Sequence, residues 1–223
     1  RMTDEAREEL EASFREADRR LIILDYDGTL KDFVSSPRAL LAKPSIRLRR
    51  IIKRLADDDR NHIAIISGRP KKTLERWFRG ISVSLVAEHG AWTRYDGKWT
   101  RVDVDFKHIK KKLRPVLERY VSRTAGAEIE EKDYSLVWHY RNVAPELAYV
   151  RAGEMKRELI DVLNTDDIGV YSGDKIVEIK PVGINKGDAA AELEALYPSD
   201  FILAAGDDYT DEDMFRELPT ESF

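Results

Sequence analysis

The chain has no cysteine, so disulfides, thiolate metal sites and cysteine nucleophiles are all excluded. No apolar run approaches the length of a membrane span and no leader-like segment is visible, which makes a cytoplasmic enzyme the default expectation. Neither sign of charge dominates: 38 lysines and arginines against 42 aspartates and glutamates leave −4, well mixed along the chain. That balance lacks the basic footprint of a nucleic-acid binder. The local basic run at 107–114 has helical spacing and reads as a solvated helix face. What remains is 42% hydrophobic and 36% charged over 223 residues, enough for one large domain or two small ones with a real core. Arg1 precedes Met2, so the expectation is either an added first residue or a position inside a longer natural protein.

The most informative stretch is Leu21-Ile22-Ile23-Leu24-Asp25-Tyr26-Asp27-Gly28-Thr29. Four consecutive aliphatics ending in a turn signal predict a central strand buried on both faces. Asp25 and Asp27 then lie at its carboxyl end, where open α/β sheets place their ligands. Two acids there can hold a divalent cation, or one can attack an electrophile while the other moves a proton. A plain Asp-Gly turn is the alternative when this stretch is taken alone.

Around it the pattern alternates. An amphipathic helix over 3–20 precedes the strand, and a helix at 44–56, a strand at 62–66, a helix at 71–78 and a strand at 81–87 follow. This order predicts an α/β fold with a doubly wound parallel sheet, Rossmann-like, as its core. The pattern then changes to a hairpin at 91–101 around Asp96-Gly97, a helix at 106–123, strands at 127–131 and 135–141, a helix at 145–163 and a second hairpin at 169–180. These elements predict an inserted α+β unit. The expected organisation is an N-terminal helix or linker at 1–20, a catalytic core at 21–103 and 177–223, and an α+β cap at 104–176. A helix at 188–196 and a strand at 201–205 resume the doubly wound pattern, which would ordinarily continue past Phe223, so the end is expected to be truncated.

Four strand or helix ends now carry polar groups: Asp25 and Asp27, Ser67, Glu88 with His89, and Asp207 with Asp211, while Lys186 stands at a helix entrance. Carboxylates from the first and last strands could share one Mg²⁺, which favours one or two carboxylates plus water and phosphate oxygens. Ser67 and Lys186 would supply a hydroxyl and a positive charge for the remaining oxygens of a phosphoryl group. Taken singly, each has a plainer reading as a turn, a helix cap or a surface lysine. Their joint placement at successive element ends favours phosphoryl transfer.

Asp25-Tyr26-Asp27-Gly28-Thr29, Ser67-Gly68-Arg69, Lys186 and Gly206-Asp207-Asp208-Tyr209-Thr210-Asp211 resemble the four motifs of the haloacid dehalogenase-like phosphatases. The resemblance implies that Asp25 is the nucleophile, forming an aspartyl-phosphate, and that Asp27 protonates the leaving alcohol and then activates water. It also implies phosphate binding by Ser67, Gly68 and Lys186. Mg²⁺ would be bound by Asp25, Asp207 and the backbone carbonyl of Asp27, with Asp211 supporting. The insert matches the family's cap, which closes over the substrate.

Within that superfamily the chain is most similar to the trehalose-6-phosphate phosphatase family. The similarity lies in Ala87-Glu88-His89-Gly90-Ala91, in Glu130 and Lys132, in Trp138-His139-Tyr140-Arg141, and in Val177-Glu178-Ile179 ahead of Asn185-Lys186-Gly187. The resemblance implies that Glu130, Lys132 and Glu178 contact a sugar. Carboxylates accept from sugar hydroxyls and lysine donates to them, so the residue types suit a disaccharide. His139 and Arg141 alternate with Tyr140 on a strand and are expected to share that face, while the Glu88-His89-Gly90 turn is expected to shape the cleft or a hinge. Another capped sugar phosphatase, acting on sucrose 6-phosphate or a glycosyl-glycerate phosphate, remains open. So does a catalytically silent domain that binds sugar phosphate. The added N-terminal helix implies a possible trehalose-phosphate synthase domain or partner upstream.

Overall fold

All six residues of β1 (Arg20–Asp25) are buried, because the strand has a neighbour on each side and a helical layer on each face. The structure, a computed structural model, describes residues 3–32, 42–163, 165 and 167–223; Arg1 and Met2, on which the expectation of a longer parent chain rests, lie outside them. Before β1 runs α1 (Asp4–Glu16), its start capped by the Thr3 hydroxyl, which accepts from Ala6 N–H. After it come α2 (Ile46–Ala56), β2 (Asn61–Ile66), α3 (Lys71–Trp77), β3 (Ser84–Ala87) and the hairpin of β4 (Trp92–Tyr95) and β5 (Lys98–Arg101). Asp96 and Gly97 both take positive φ in that hairpin turn, as a two-residue connection of right-twisted strands requires.

The chain then passes through α4 (Phe106–Ser122), β6 (Glu128–Glu131), β7 (Leu136–His139), α5 (Pro145–Leu163), β8 (Ile168–Gly173) and β9 (Ile176–Pro181), and continues with α6 (Lys186–Leu196), β10 (Phe201–Ala205) and α7 (Asp211–Glu217). Two compact units result, one comprising Arg1–Arg101 and Asn185–Phe223 and the other Val102–Ile184.

In the larger unit the sheet order is β10-β1-β2-β3-β4-β5, parallel through β3 and antiparallel in the last two strands. Strand alternation divides the core. Ile22, Leu24 and Tyr26 face one side with Ile52, Leu74, Trp77 and Phe78. Leu21 and Ile23 face the other with Ala189, Ala190, Leu193, Met214 and Leu218. Each fully buried aliphatic of this kind contributes roughly 1.5–3 kcal/mol, so both faces drive the central strand into place. Tyr26 is pinned at the strand's end: its hydroxyl donates to the Ala42 carbonyl at 2.6 Å and its ring packs 4.9 Å from Trp77. The register places Asp25 opposite Ile66 and Leu24 opposite Ala205. Asp25, Ser67 and Gly206 therefore emerge at one edge of the sheet. On the outer side of β10, Phe223 N–H donates to Ile202 O and the Phe223 carbonyl accepts from Ala204 N–H, so the residues after α7 return to that strand.

The smaller unit is an antiparallel sheet of order β6-β7-β9-β8 with α4 and α5. Leu136, Trp138, Val177 and Ile179 alternate onto a buried apolar face. The expected boundary at 177 is corrected here: β9 is hydrogen-bonded to both β7 and β8, so 177–184 belongs with the smaller unit. A central strand cannot be separated from the sheet whose ladder it completes. The predicted strand at 135–141 also ends early, at His139.

Candidate active site

Alternation sends Asp25 to the face of the sheet that carries α6 and α7, opposite to Tyr26. There it meets Lys186, the first residue of α6, whose start is set by Asn185 accepting from Asp188 N–H at 2.8 Å. Lys186 Nζ donates to Asp25 Oδ1 at 2.8 Å and to Asp211 Oδ1 at 2.7 Å. All three side chains are at least 95% buried. Burial is the largest influence on Asp25 and outweighs Lys186, holding its carboxyl up at about 6. Burial alone would lower Lys186, but the two carboxylates together keep it raised and charged.

Asp211 has both oxygens engaged, since Oδ2 accepts from the N–H groups of Asp207 and Asp208 at 3.0 and 3.1 Å. It shapes the loop after β10 and aims Asp207. Asp207 itself lies nearer solvent, with its carboxyl raised by partial burial and by Asp208 and Asp211. Asp25 Oδ2 is the contrasting atom: buried, and accepting no hydrogen bond. Asp25, Asp207 and Asp211 each present an oxygen within 4.8 Å of the others. An acceptor atom left over in a cluster of three carboxylates fits a hard divalent cation. Gly28, at φ +99, closes the cradle: a Cβ there would run into the Asp207 carboxylate. Gly28→Ala is therefore expected to destabilise by about 1–3 kcal/mol and to weaken binding of a divalent cation by roughly tenfold or more. Denaturant unfolding and calorimetric titration with divalent cations read the two effects, and a variant that binds the cation like the parent would show that Asp207 can move aside.

Ser67 is buried directly after β2, and its Oγ accepts from Arg69 N–H at 3.1 Å, leaving the hydroxyl proton to donate elsewhere. His89 lies against Gly68, in a turn where Glu88 and His89 stand at φ 50 and 59 and donate their N–H groups to Arg69 O and Ser67 O. The Asp27 carboxylate is outside the acidic cluster and pairs with Arg69.

In the smaller unit, Glu130, Val137, Glu178 and Tyr171 are register neighbours across four strands, so they share the face opposite the apolar one. Lys132 Nζ approaches Glu178 Oε1 at 3.5 Å in a largely buried pair, and His139 Nε2 lies 2.9 Å from Glu130 Oε2. Arg141 is the outlier among the expected sugar contacts: it lies past the strand end and donates to Asp174 Oδ2 at 2.6 Å in the β8–β9 turn. Two neighbours escaped the sequence reading. Lys180 follows Glu178 by two residues, and its Nζ lies 5.1 Å over the Tyr171 ring while donating to Ile184 O. The Glu178–Lys180 spacing was a signal for the first of these; Tyr171 had none.

A parallel sheet with this order, and a lysine bridging two carboxylates at the end of its first strand, define the class: the fold is that of the haloacid dehalogenase-like hydrolases, a Rossmann-like core with a second α+β unit. The trehalose-phosphatase profile matches residues 23–222, and the chain belongs to the trehalose-phosphatase family. It is 36% identical over 235 residues to the trehalose-phosphatase of Saccharomyces cerevisiae, covering 93% of this chain and 26% of that protein. It is 37% identical over 214 residues to the UDP-forming alpha,alpha-trehalose-phosphate synthase B of Dictyostelium discoideum, covering 95% and 27%. The C-terminal domain of Candida albicans trehalose-6-phosphate phosphatase superposes with a TM-score of 0.85 at 35% identity, covering 95% of this chain and 78% of that one. The chain spans about a quarter of the length of the curated relatives it matches. Family membership implies a divalent metal. No described helix is long and apolar enough to cross a membrane.

Proposed function

We propose that this chain hydrolyses trehalose 6-phosphate to trehalose and phosphate in a Mg²⁺-dependent reaction in the cytoplasm. The observation that carries the reading is the buried Asp25–Lys186–Asp211 cluster, in which Asp25 keeps one oxygen without a hydrogen bond. An Asp25 oxygen attacks phosphorus, the bond from phosphorus to the sugar oxygen breaks, and Asp27 gives that oxygen a proton. Asp27 then takes a proton from water as the water oxygen attacks the phosphoryl group, releasing phosphate and restoring Asp25. The Ser67 hydroxyl, the Gly68 peptide and the Lys186 ammonium hold the phosphoryl oxygens throughout, where the charge of the transferred group resides. Asp25, Asp207 and the Asp27 carbonyl, with Asp211 behind them, would hold Mg²⁺, which would supply further positive charge to those oxygens.

The polar face of the smaller unit supports a sugar ligand. Glu130, Lys132, His139 and Glu178 offer both acceptors and donors there, and Arg141 stands at its end; we assign these five to recognition of sugar hydroxyls, with the unit serving as a cap. A relative named as a trehalose-phosphate synthase supports a synthase domain or partner that supplies the phosphate ester. Phosphate release from trehalose 6-phosphate, sucrose 6-phosphate, a glycosyl-glycerate phosphate and glucose 6-phosphate, with and without Mg²⁺, tests the reading. Trehalose 6-phosphate is expected to exceed the others in kcat/KM by about tenfold or more. Equal rates on all of them would reject a dedicated trehalose enzyme.

A further inference from the structure

Both oxygens of Asp27 are taken by one guanidinium. Arg69 Nε donates to Oδ2 at 2.8 Å and a terminal nitrogen donates to Oδ1 at 2.6 Å, a fork-to-fork pair about one-fifth exposed on each side. The arginine is itself held at several points. Its N–H donates to Ser67 Oγ, its carbonyl accepts from Glu88 N–H in the left-handed turn after β3, and its guanidinium lies 5.7 Å over the Trp77 ring. Trp77 in turn packs on Tyr26, the residue between the two acids. Arg69 thus ties the Ser67 loop, the strained turn and the aromatic packing beneath the strand end to a single carboxylate.

We propose that Arg69 is the positioning residue for Asp27, its guanidinium fork fixing the rotamer from which Asp27 serves the leaving-group oxygen. This rests on the function proposed above, in which Asp27 carries the proton. A proton carrier contributes only within hydrogen-bond reach and in the right direction, and an aspartate just past a strand end has several rotamers to choose from. The fork leaves each carboxylate oxygen a second lone pair, where Asp27 can carry the proton it gives to the leaving-group oxygen and later accept one from water. Lysine could match the charge of Arg69 but not the two parallel bonds.

Leaving-group dependence separates this role from a general structural one. The series runs from p-nitrophenyl phosphate, whose phenolate departs without a proton, through phenyl phosphate to simple alkyl phosphates and trehalose 6-phosphate. Arg69→Ala is expected to lower kcat/KM, which reads the leaving-group step and not the later hydrolysis common to every ester, roughly 100-fold on the alkyl esters, while p-nitrophenyl phosphate loses less than about fivefold. Arg69→Lys should recover only a minor part of the alkyl loss. In an Asp27→Asn background, Arg69→Ala should add less than about twofold, because the residue it positions is already gone. Equal losses across the series, full recovery by lysine, or additive effects in the double variant would each overturn the assignment. Failure of trehalose 6-phosphate alone would remove the substrate assignment and leave the aryl-to-alkyl slope to decide on Arg69. A parent protein inert toward every ester would overturn both.

Discussion

Asparagine in place of Asp25 is expected to abolish phosphate release, by at least about 10⁴-fold, in a protein that folds as well as the parent or better. An amide is the same size as the carboxylate but offers phosphorus no nucleophilic oxygen anion. The stability half of the prediction follows from the charge count in the buried cluster. Lys186 faces two carboxylates, so the metal-free cluster carries one excess negative charge; asparagine makes it neutral. The sign of the pH dependence follows from the folded-state value of about 6 against the ordinary 3.8. A carboxyl raised on folding contributes stability that is full below pH 3.8 and lost as the pH rises through 6. At pH 7 the ionised Asp25 therefore costs the metal-free parent about 3 kcal/mol that the variant does not bear. Denaturant unfolding of both proteins at pH 4 and 7.5, with metal chelated, measures the difference. Near-parental phosphate release by the variant would sink the mechanism, and a stability gap independent of pH would sink the electrostatic account.

The opposite change, Lys186→Met, should be the most destabilising single substitution in the larger unit. It leaves Asp25 and Asp211 buried together with no cation between them, and breaking a buried pair from one side costs about 3–5 kcal/mol. The loss should be greatest near pH 8 and shrink toward pH 5 as Asp25 takes up a proton. Mg²⁺ should restore part of it, since a divalent ion can answer the same charges. Catalysis should fall as well, because the phosphoryl oxygens lose their ammonium partner. Asp25→Asn added to Lys186→Met should relieve much of the instability, a coupling visible in the double-variant cycle. A methionine variant within 1 kcal/mol of the parent at pH 8 would show the cluster to be better hydrated than its burial indicates.

Much of this was legible in the sequence, for reasons that can be named. Apolar runs ending in acids or in a Ser-Gly turn mark parallel strands with their chemistry at the carboxyl ends, so β1, β2 and β10 and the residues after them are readable from local pattern. What was not readable depends on pairing between distant segments. β9 was recognisable as a strand, yet its membership of the smaller sheet is decided by ladders to β7 and β8. Arg69 stood in plain view beside Ser67, but its partner lies 42 residues earlier, and the two meet only because β1 and β2 are in register. Arg141 was read as a continuation of β7; Asp174, from another turn, draws it away.

Tyr26 lies between the two acids and belongs to neither the site nor its chemistry. It faces the other side of the sheet, where Ala42, Trp77 and Phe78 hold it. Asp25 thus inherits its coordinates from an oily layer it never touches. A methylene added or lost among those aromatics would shift Asp25 against Lys186 through the strand itself, at a position that no inspection of the polar residues would flag. For anyone comparing variants of this chain, the aromatic layer beneath the strand should be counted as part of what aims Asp25.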